Sequence, residues 1–100
     1  MTEANGYDSH SEGKGTIANG SQQHVQGRWN AIDYGNQYAH IVGNGTSGGD
    51  RKNIHTLDWN GNAWFAGSVT CKDGITLKVG NKTWYITIDE RTSQLTAILM

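Results

Sequence analysis

The sequence is short of the residues that usually hold a small domain together. It has no proline, one cysteine (Cys71) and only 17 Leu, Ile, Val and Phe residues among 100. One cysteine excludes an internal disulfide, and no CxxC or HExxH spacing offers a structural metal site within one chain. A formal net charge of -1, with four Trp and four Tyr, argues against disorder. We therefore expect an ordered chain that completes its core by self-association.

Long apolar runs and clustered basic residues are also missing. No stretch approaches the roughly 20 apolar residues of a membrane span, and the polar start from Met1 to Asp8 lacks the apolar region of a signal peptide. The 8 Lys and Arg residues are balanced by 9 Asp and Glu residues, so no basic stripe is available to neutralise phosphates. We predict no membrane insertion, no nucleic-acid partner and no cofactor.

Small and polar residues dominate instead, and they favour turns and short strands. Gly, Asn, Ser and Thr are together more frequent than all the apolar residues, which predicts an all-β fold. Within the first half a degrading His-x-x-Gly repeat recurs at nearly equal intervals, the second interval being two residues longer than the first. A fourth histidine, His55, follows without its glycine. The copies are His10-Ser-Glu-Gly13, His24-Val-Gln-Gly27 and His40-Ile-Val-Gly43.

A period of this length suits a coil of two short strands with a tight turn after each. We predict a short-repeat β-roll or an interlocked β-stem over residues 1–70, with corners at Lys14-Gly15 and at Ile17-Ala-Asn-Gly20. Glycine has a physical role at such corners, because it reaches positive φ at little cost. One coil buries little surface, so neighbouring coils and chains must supply the core.

The second half alternates apolar and polar residues as strands do. Asn60-Gly61 marks a turn between two strand-like segments, Ile54 to Trp59 and Ala63 to Cys71. A turn at Gly80-Asn81 and a third strand from Gln94 to Met100 predict a small antiparallel sheet over residues 71–100. No helix is predicted to cover its apolar face, so we expect neighbouring chains to cover it. The expected oligomer core consists of Ile75, Leu77, Val79, Trp84, Ile86 and Ile88.

Two stretches carry a resemblance to known proteins. Residues 9–20, Ser-His-Ser-Glu-Gly-Lys-Gly-Thr-Ile-Ala-Asn-Gly, resemble the short glycine-punctuated repeats of phage tail fibres and, more distantly, head repeats of trimeric autotransporter adhesins. Residues 38–47 and 55–67 resemble segments near the C-terminus of such fibres in phages and prophages of Gram-positive bacteria. The resemblance implies a homotrimeric, rod-like, non-enzymatic part of a virion tail fibre or of an extracellular surface fibre. No cleavage site of a self-cleaving chaperone domain carries over to this chain.

Candidate binding residues cluster between His24 and His40, where the repeat lengthens. Such an insertion would bulge outward, and its aromatic side chains suit a host-surface glycan, although packing explains them more simply. The residues of this candidate glycan site are Arg28, Trp29, Tyr34 and Tyr38. Trp59, Trp64, Phe65 and Trp84 are assigned to packing, and Cys71 is expected to be a small buried residue.

Other chemistry is less well supported by the sequence. Gly43-Asn-Gly-Thr-Ser-Gly48 matches GxGxxG, but no helix follows to hold a phosphate, so we predict a flexible loop from Gly43 to Asp50. The histidines stand alone in their repeats, which favours ladder histidines over a metal site, and no catalytic residue is predicted. The alternative function is a glycan-hydrolysing tail domain, in which two carboxylates such as Asp33 and Asp58 would meet in a cleft.

Overall fold

The chain is all-β, as its composition predicts. The computed structural model describes all 100 residues, which form ten strands and no helix. No segment therefore meets the length and apolarity that a membrane-spanning helix requires. The chain divides into two compact units, Met1–Ser68 and Val69–Met100. The strands are β1 (Glu3–Ala4), β2 (His10–Ser11), β3 (Ile17–Ala18), β4 (His24–Arg28), β5 (Tyr38–Asn44), β6 (Asn53–Asp58), β7 (Ala63–Phe65), β8 (Ile75–Val79), β9 (Lys82–Asp89) and β10 (Gln94–Leu99).

In the first unit, successive copies of the repeat pair side by side. Strands β1 and β3 form a parallel pair, and β2, β4, β5, β6 and β7 form a five-stranded sheet in that order. β2, β4 and β5 run parallel, with His10 opposite His24 and His24 opposite His40. β6 and β7 continue the sheet antiparallel. The interval between repeats is thus the register of the parallel strands.

The corners of the first unit recur at a constant interval. Asp8, Gln22 and Asn36 have φ of 56°, 61° and 49°, so a left-handed residue precedes each copy of the histidine strand. The expected corner at Ile17-Ala-Asn-Gly20 is wrong in place, because Ile17 and Ala18 form strand β3 and the left-handed residue is Gln22. Since the step from Asp8 to Gln22 equals the step from Gln22 to Asn36, the two extra residues of the third copy lie between Asn36 and His40. An irregularity in the β5–β6 pairing lies beside them.

Glycine is required where the strands of the repeat end. Gly13 and Gly27 have φ of 102° and 96°, a region that other residues rarely adopt. A Cβ atom on Gly13 would collide with the carbonyl oxygen of Gly27, and one on Gly27 with that of Gly43. The glycine of the His-x-x-Gly repeat therefore allows consecutive copies to stack closely.

The core of the first unit is small and partly polar. Only Ala18, Val25 and Ile41 are fully buried apolar residues, which agrees with the low apolar content of the sequence. Asn30 is also fully buried, and its side chain accepts a hydrogen bond from Ile17 N (2.8 Å) and donates one to Ile17 O (3.0 Å). The Asn30 side chain thereby makes the two hydrogen bonds to Ile17 that a paired strand would otherwise make.

The hairpin of β6 and β7 forms at Asn60-Gly61 as predicted, but its second strand is short. β7 ends at Phe65, whereas the sequence predicted a strand up to Cys71, and Cys71 is exposed, contrary to expectation. The loop expected between Gly43 and Asp50 is a hydrogen-bonded turn, in which Thr46 N donates to Asp50 O and Asp50 N donates to Ser47 O, both at 3.0 Å. Strand β6 follows this turn and no helix does, so the GxGxxG match lacks the context of a phosphate site.

The second unit is a three-stranded antiparallel sheet in the order β10, β9, β8. Val79 pairs with Lys82 across the Gly80-Asn81 turn, and Leu77 pairs with Trp84. The sequence placed this hairpin and the third strand correctly. No residue of Val69–Met100 is buried, so this sheet has no core of its own within one chain.

Candidate functional site

A ladder of neighbouring aromatic rings crosses one face of the five-stranded sheet. Parallel pairing places His10, His24 and His40 in a row, and the antiparallel strands add His55 and Phe65. The ring centroids are 4.9, 5.2, 5.3 and 4.5 Å apart along this order. These spacings are typical of interacting aromatic pairs, so the histidines form the ladder that the sequence favoured.

One end of the ladder carries a carboxylate. Glu12 lies two residues after His10, on the same face, and its Oε1 and Oε2 atoms lie 3.1 Å from His24 Nε2 and 3.7 Å from His10 Nε2. One ligand atom from each of the three residues can be chosen so that all lie within 4.8 Å of one another. The inference that each histidine stands alone, without a second ligand from the same chain, is therefore wrong, because parallel pairing brings two repeats to one place.

The charged surroundings of His40 differ from those of the two histidines beside Glu12. The hydrogen bond with His24 lowers the pKa of Glu12 below its usual value, so the carboxylate is ionised at neutral pH. Burial lowers the pKa of His40, and the neighbouring imidazoles of His24 and His55 lower it further. His40 therefore favours its neutral form, while the imidazoles near Glu12 have an anionic partner.

The four residues of the candidate glycan site do not converge. Arg28 and Tyr34 are exposed, Tyr34 to 80%. Trp29, at φ 42°, lies under the guanidinium of Arg51, whose Cζ is 5.3 Å from the ring centroid, and its ring fills the space beside Gly15. Tyr38 lines a concave surface.

That surface is a groove of about 480 Å³ on the opposite face of the sheet from the ladder. Thr56 pairs with Trp64 in the β6–β7 hairpin, one residue away from the His55–Phe65 pair, so the two pairs point to opposite faces. The groove combines the rings of Tyr38 and Trp64 with amide, hydroxyl and carboxylate groups. Its lining residues are Tyr38, Asn53, Thr56, Asp58, Asn62, Ala63 and Trp64. Trp64 was expected to be a packing residue, but it is 51% exposed.

Both carboxylates considered for hydrolysis are engaged in local hydrogen bonds. Asp33 is 6% exposed, and its Oδ2 accepts from Gln23 Nε2 (2.8 Å) and from Tyr38 N (2.9 Å). Asp58 closes the turn after β6, where it accepts from the backbone of Asn60 and from Asn62, and the Asn62 side chain lowers its pKa. Each carboxylate holds a loop in place.

The other aromatic residues assigned to packing are also half-exposed. Trp59, Phe65 and Trp84 are 49, 48 and 39% exposed in the single chain. Trp59 Nε1 donates to Asn36 O at 3.0 Å, and Phe65 stacks on His55. Their remaining surface is available to a ligand or to another chain.

The expected oligomer-core residues share one face of the second sheet. Ile75 pairs with Ile86 and Leu77 with Trp84, while β10 places Leu95 opposite Ile88 and Ala97 opposite Ile86. Directly paired residues point the same way, so the face continues over all three strands. A hollow of about 560 Å³ on this unit is lined in part by Val69, Ile75, Ile86, Ile88 and Leu95.

Comparison of the chain with protein-family models, with curated proteins and with solved structures gives no match.

Proposed function

We propose that the chain is a non-enzymatic structural segment of a homotrimeric fibre, of the kind that phage tails or bacterial surfaces carry. The first unit would form a short β-roll stem, and the second a sheet that joins three chains at its apolar face. Its role would be mechanical, namely trimerisation and projection, with attachment to a host-surface glycan as an added function.

The observation that carries this proposal is the apolar face of the second unit. Leu77, Ile88 and Leu95 are 51, 63 and 76% exposed, although they lie on one continuous face. Monomeric proteins rarely expose a contiguous apolar patch of this kind, and a three-stranded sheet needs cover on its apolar face to be stable. Since no helix exists in the chain, the same face of neighbouring chains is the cover that we propose.

The first unit supports a stem because its repeats stack in register. β2, β4 and β5 pair in parallel, and a stack of this type can grow by adding further copies at its β2 edge. Its apolar core of three residues is too small to stabilise a folded monomer by itself. Assembly of chains would therefore also contribute to the stability of the first unit.

Size-exclusion chromatography with light scattering tests the proposal directly. A trimer should give about three times the chain mass of 10.9 kDa. A folded, stable particle of 10.9 kDa over the micromolar concentration range would refute the proposed assembly.

Glycan attachment is favoured by the groove at Tyr38 and Trp64. Ligand sites combine apolar and aromatic surface with a few polar groups, and their volumes range over about 300–1,000 Å³. The groove has this composition, and sugar rings offer apolar faces to an aromatic ring and hydroxyls to amides. A glycan array with the intact protein should give hits that Trp64→Ala removes and Tyr34→Ala retains.

A reducing-sugar assay on the same glycans separates attachment from the alternative function, glycan hydrolysis. Binding without release of reducing ends is expected, because Asp33 is buried and Asp58 is engaged in its own turn. Release of sugar that Asp58→Asn abolishes would favour the hydrolase, and absence of any array hit would leave the fibre without an attachment role at this groove.

A further inference from the structure

The cluster of His10, Glu12 and His24 unites donor atoms from two consecutive repeats of one chain. His10 and His24 are directly paired across β2 and β4, and Glu12 follows β2 on the same face. Backbone hydrogen bonds between the two parallel strands fix the position of both repeats, and one of these is from Glu12 N to Val25 O at 3.0 Å. The three side chains are thus held together by the fold and do not depend on a flexible loop.

The distances within the cluster fit a small cation. A tetrahedral zinc ion with bonds of about 2.0–2.2 Å places its donor atoms about 3.3–3.6 Å apart. Glu12 lies 3.1 Å from His24 Nε2 and 3.7 Å from His10 Nε2. One donor atom from each of the three residues lies within 4.8 Å of the others, so rotations of these exposed side chains would have to bring the donors to tetrahedral spacing when an ion binds.

The donor types select the class of ion. Two imidazoles and one carboxylate suit zinc and neighbouring first-row divalent ions, whereas calcium and magnesium prefer oxygen ligands alone. The side chains of His10, His24 and Glu12 are 64, 43 and 56% exposed, so an ion can enter from solvent and complete its coordination with water.

The later copies of the repeat can be compared with the first at the position of Glu12. In the next interval Gln26 occupies the position of Glu12, and its Oε1 lies 3.3 Å from His40 Nε2. The contact with the histidine of the next copy therefore recurs one repeat later, with a neutral amide in place of the carboxylate. In the third copy the position is Val42. Only the first interval combines two imidazoles with a carboxylate.

We propose that His10, Glu12 and His24 form a binding site for a zinc-type divalent ion that cross-links the first two copies of the repeat. The site is independent of the proposed fibre function, since all its ligands come from one chain. The bound ion stabilises the pairing of β2 with β4, because it binds the folded chain and the unfolded chain lacks the assembled site.

Titration calorimetry with zinc chloride near pH 7.5, on the full chain without any purification tag, tests the site. One ion per chain is expected, with no saturable binding of magnesium or calcium. His24→Ala and Glu12→Gln should each weaken zinc binding by about tenfold or more, while His55→Ala, a ladder histidine outside the cluster, should leave it unchanged. Zinc should raise the melting temperature of the native chain and not that of His24→Ala.

A relocation variant makes the test specific to the repeat. Glu12→Gln combined with Gln26→Glu moves the carboxylate to the interval between His24 and His40, and it should restore binding that His40→Ala then removes. The ligands are exposed, so each variant is expected to keep the β-sheet circular dichroism of the native chain. Absence of saturable zinc binding, or equal weakening by His55→Ala and His24→Ala, would overturn the proposal.

Discussion

Replacement of Leu77 by Asp tests whether the apolar face of the second unit is an interface. Leu77 lies in the middle of β8, paired with Trp84, and it is 51% exposed in the single chain. Its neighbour Thr76 points to the opposite face and is exposed. Thr76→Asp adds the same charge one residue away and is therefore the matched control.

The expected cost follows from how much of Leu77 a partner would bury. Full burial of a leucine side chain contributes about 1.5–3 kcal/mol, so covering its exposed half contributes about 1 kcal/mol. An unpaired carboxylate in a dry interface costs a further 3–5 kcal/mol or so. The loss is then about 4–6 kcal/mol per chain, and a trimer carries it three times. If the face stays in water, the same substitution should change stability by about 0.5–1 kcal/mol.

Thermal melting at several protein concentrations, together with light scattering, measures the difference. Leu77→Asp should yield dissociated chains at concentrations where the native chain and Thr76→Asp remain assembled. Equal melting temperatures and equal masses for the two variants would refute the interface. Thr87 is a poorer control, since its hydroxyl donates to Asp73 O at 2.7 Å and its replacement would disturb that contact.

Further predictions concern the first unit. Because the folded state lowers the pKa of His40 from 6.5, the unfolded chain binds more protons. The contribution of His40 to the free energy of unfolding should therefore be fully present above about pH 6.5 and be lost as the pH falls through the folded-state pKa. Urea midpoints measured against pH should show this decrease, and His40→Gln should make it smaller. Gly27→Ala places a methyl group against the next strand at φ 96° and should cost at least about 1–3 kcal/mol, whereas Gly67→Ala, in open space, should cost little. Asn30→Ala leaves the part-buried N–H and C=O groups of Ile17 without their side-chain partners and should lower the free energy of unfolding in urea by about 1–3 kcal/mol, unlike Asn5→Ala at an exposed position. EDTA should return the melting temperature of zinc-loaded protein to that of the metal-free chain while leaving the chain folded at room temperature, and unfolding on chelation would contradict an accessory role for the ion.

Local patterns were sufficient for the second unit. Alternation from Ile75 to Val79 and from Trp84 to Ile88, joined by Gly80-Asn81, fixed both the turn and the shared apolar face, because side-chain direction along a strand depends only on sequence parity. In the first unit, the same patterns do not show where a strand ends if no turn residue follows it. The sequence therefore predicts that β7 extends beyond Phe65 to Cys71.

The repeat interval of the first unit is also visible in the sequence, and it sets which residues of consecutive copies lie side by side. The two intervals between histidines became the register that sets His10 beside His24 and His24 beside His40. Along the chain, His10 has a potential ligand in Glu12, but the second imidazole, that of His24, is a full repeat away. The metal-ligand cluster forms only because parallel pairing of β2 with β4 places residues that are one full repeat apart next to each other.

The sequence by itself determined the all-β class, the repeat, the two-part organisation and the shortage of core. Tertiary structure alone decided which side chains meet, namely Glu12 with two imidazoles, and Tyr38 with Trp64 across the groove. It also decided that the 28–38 aromatic residues separate. The physical reason is that composition, turns and alternation are properties of neighbours in the chain, whereas sites are made by residues that only the pairing of distant strands brings within a few ångströms.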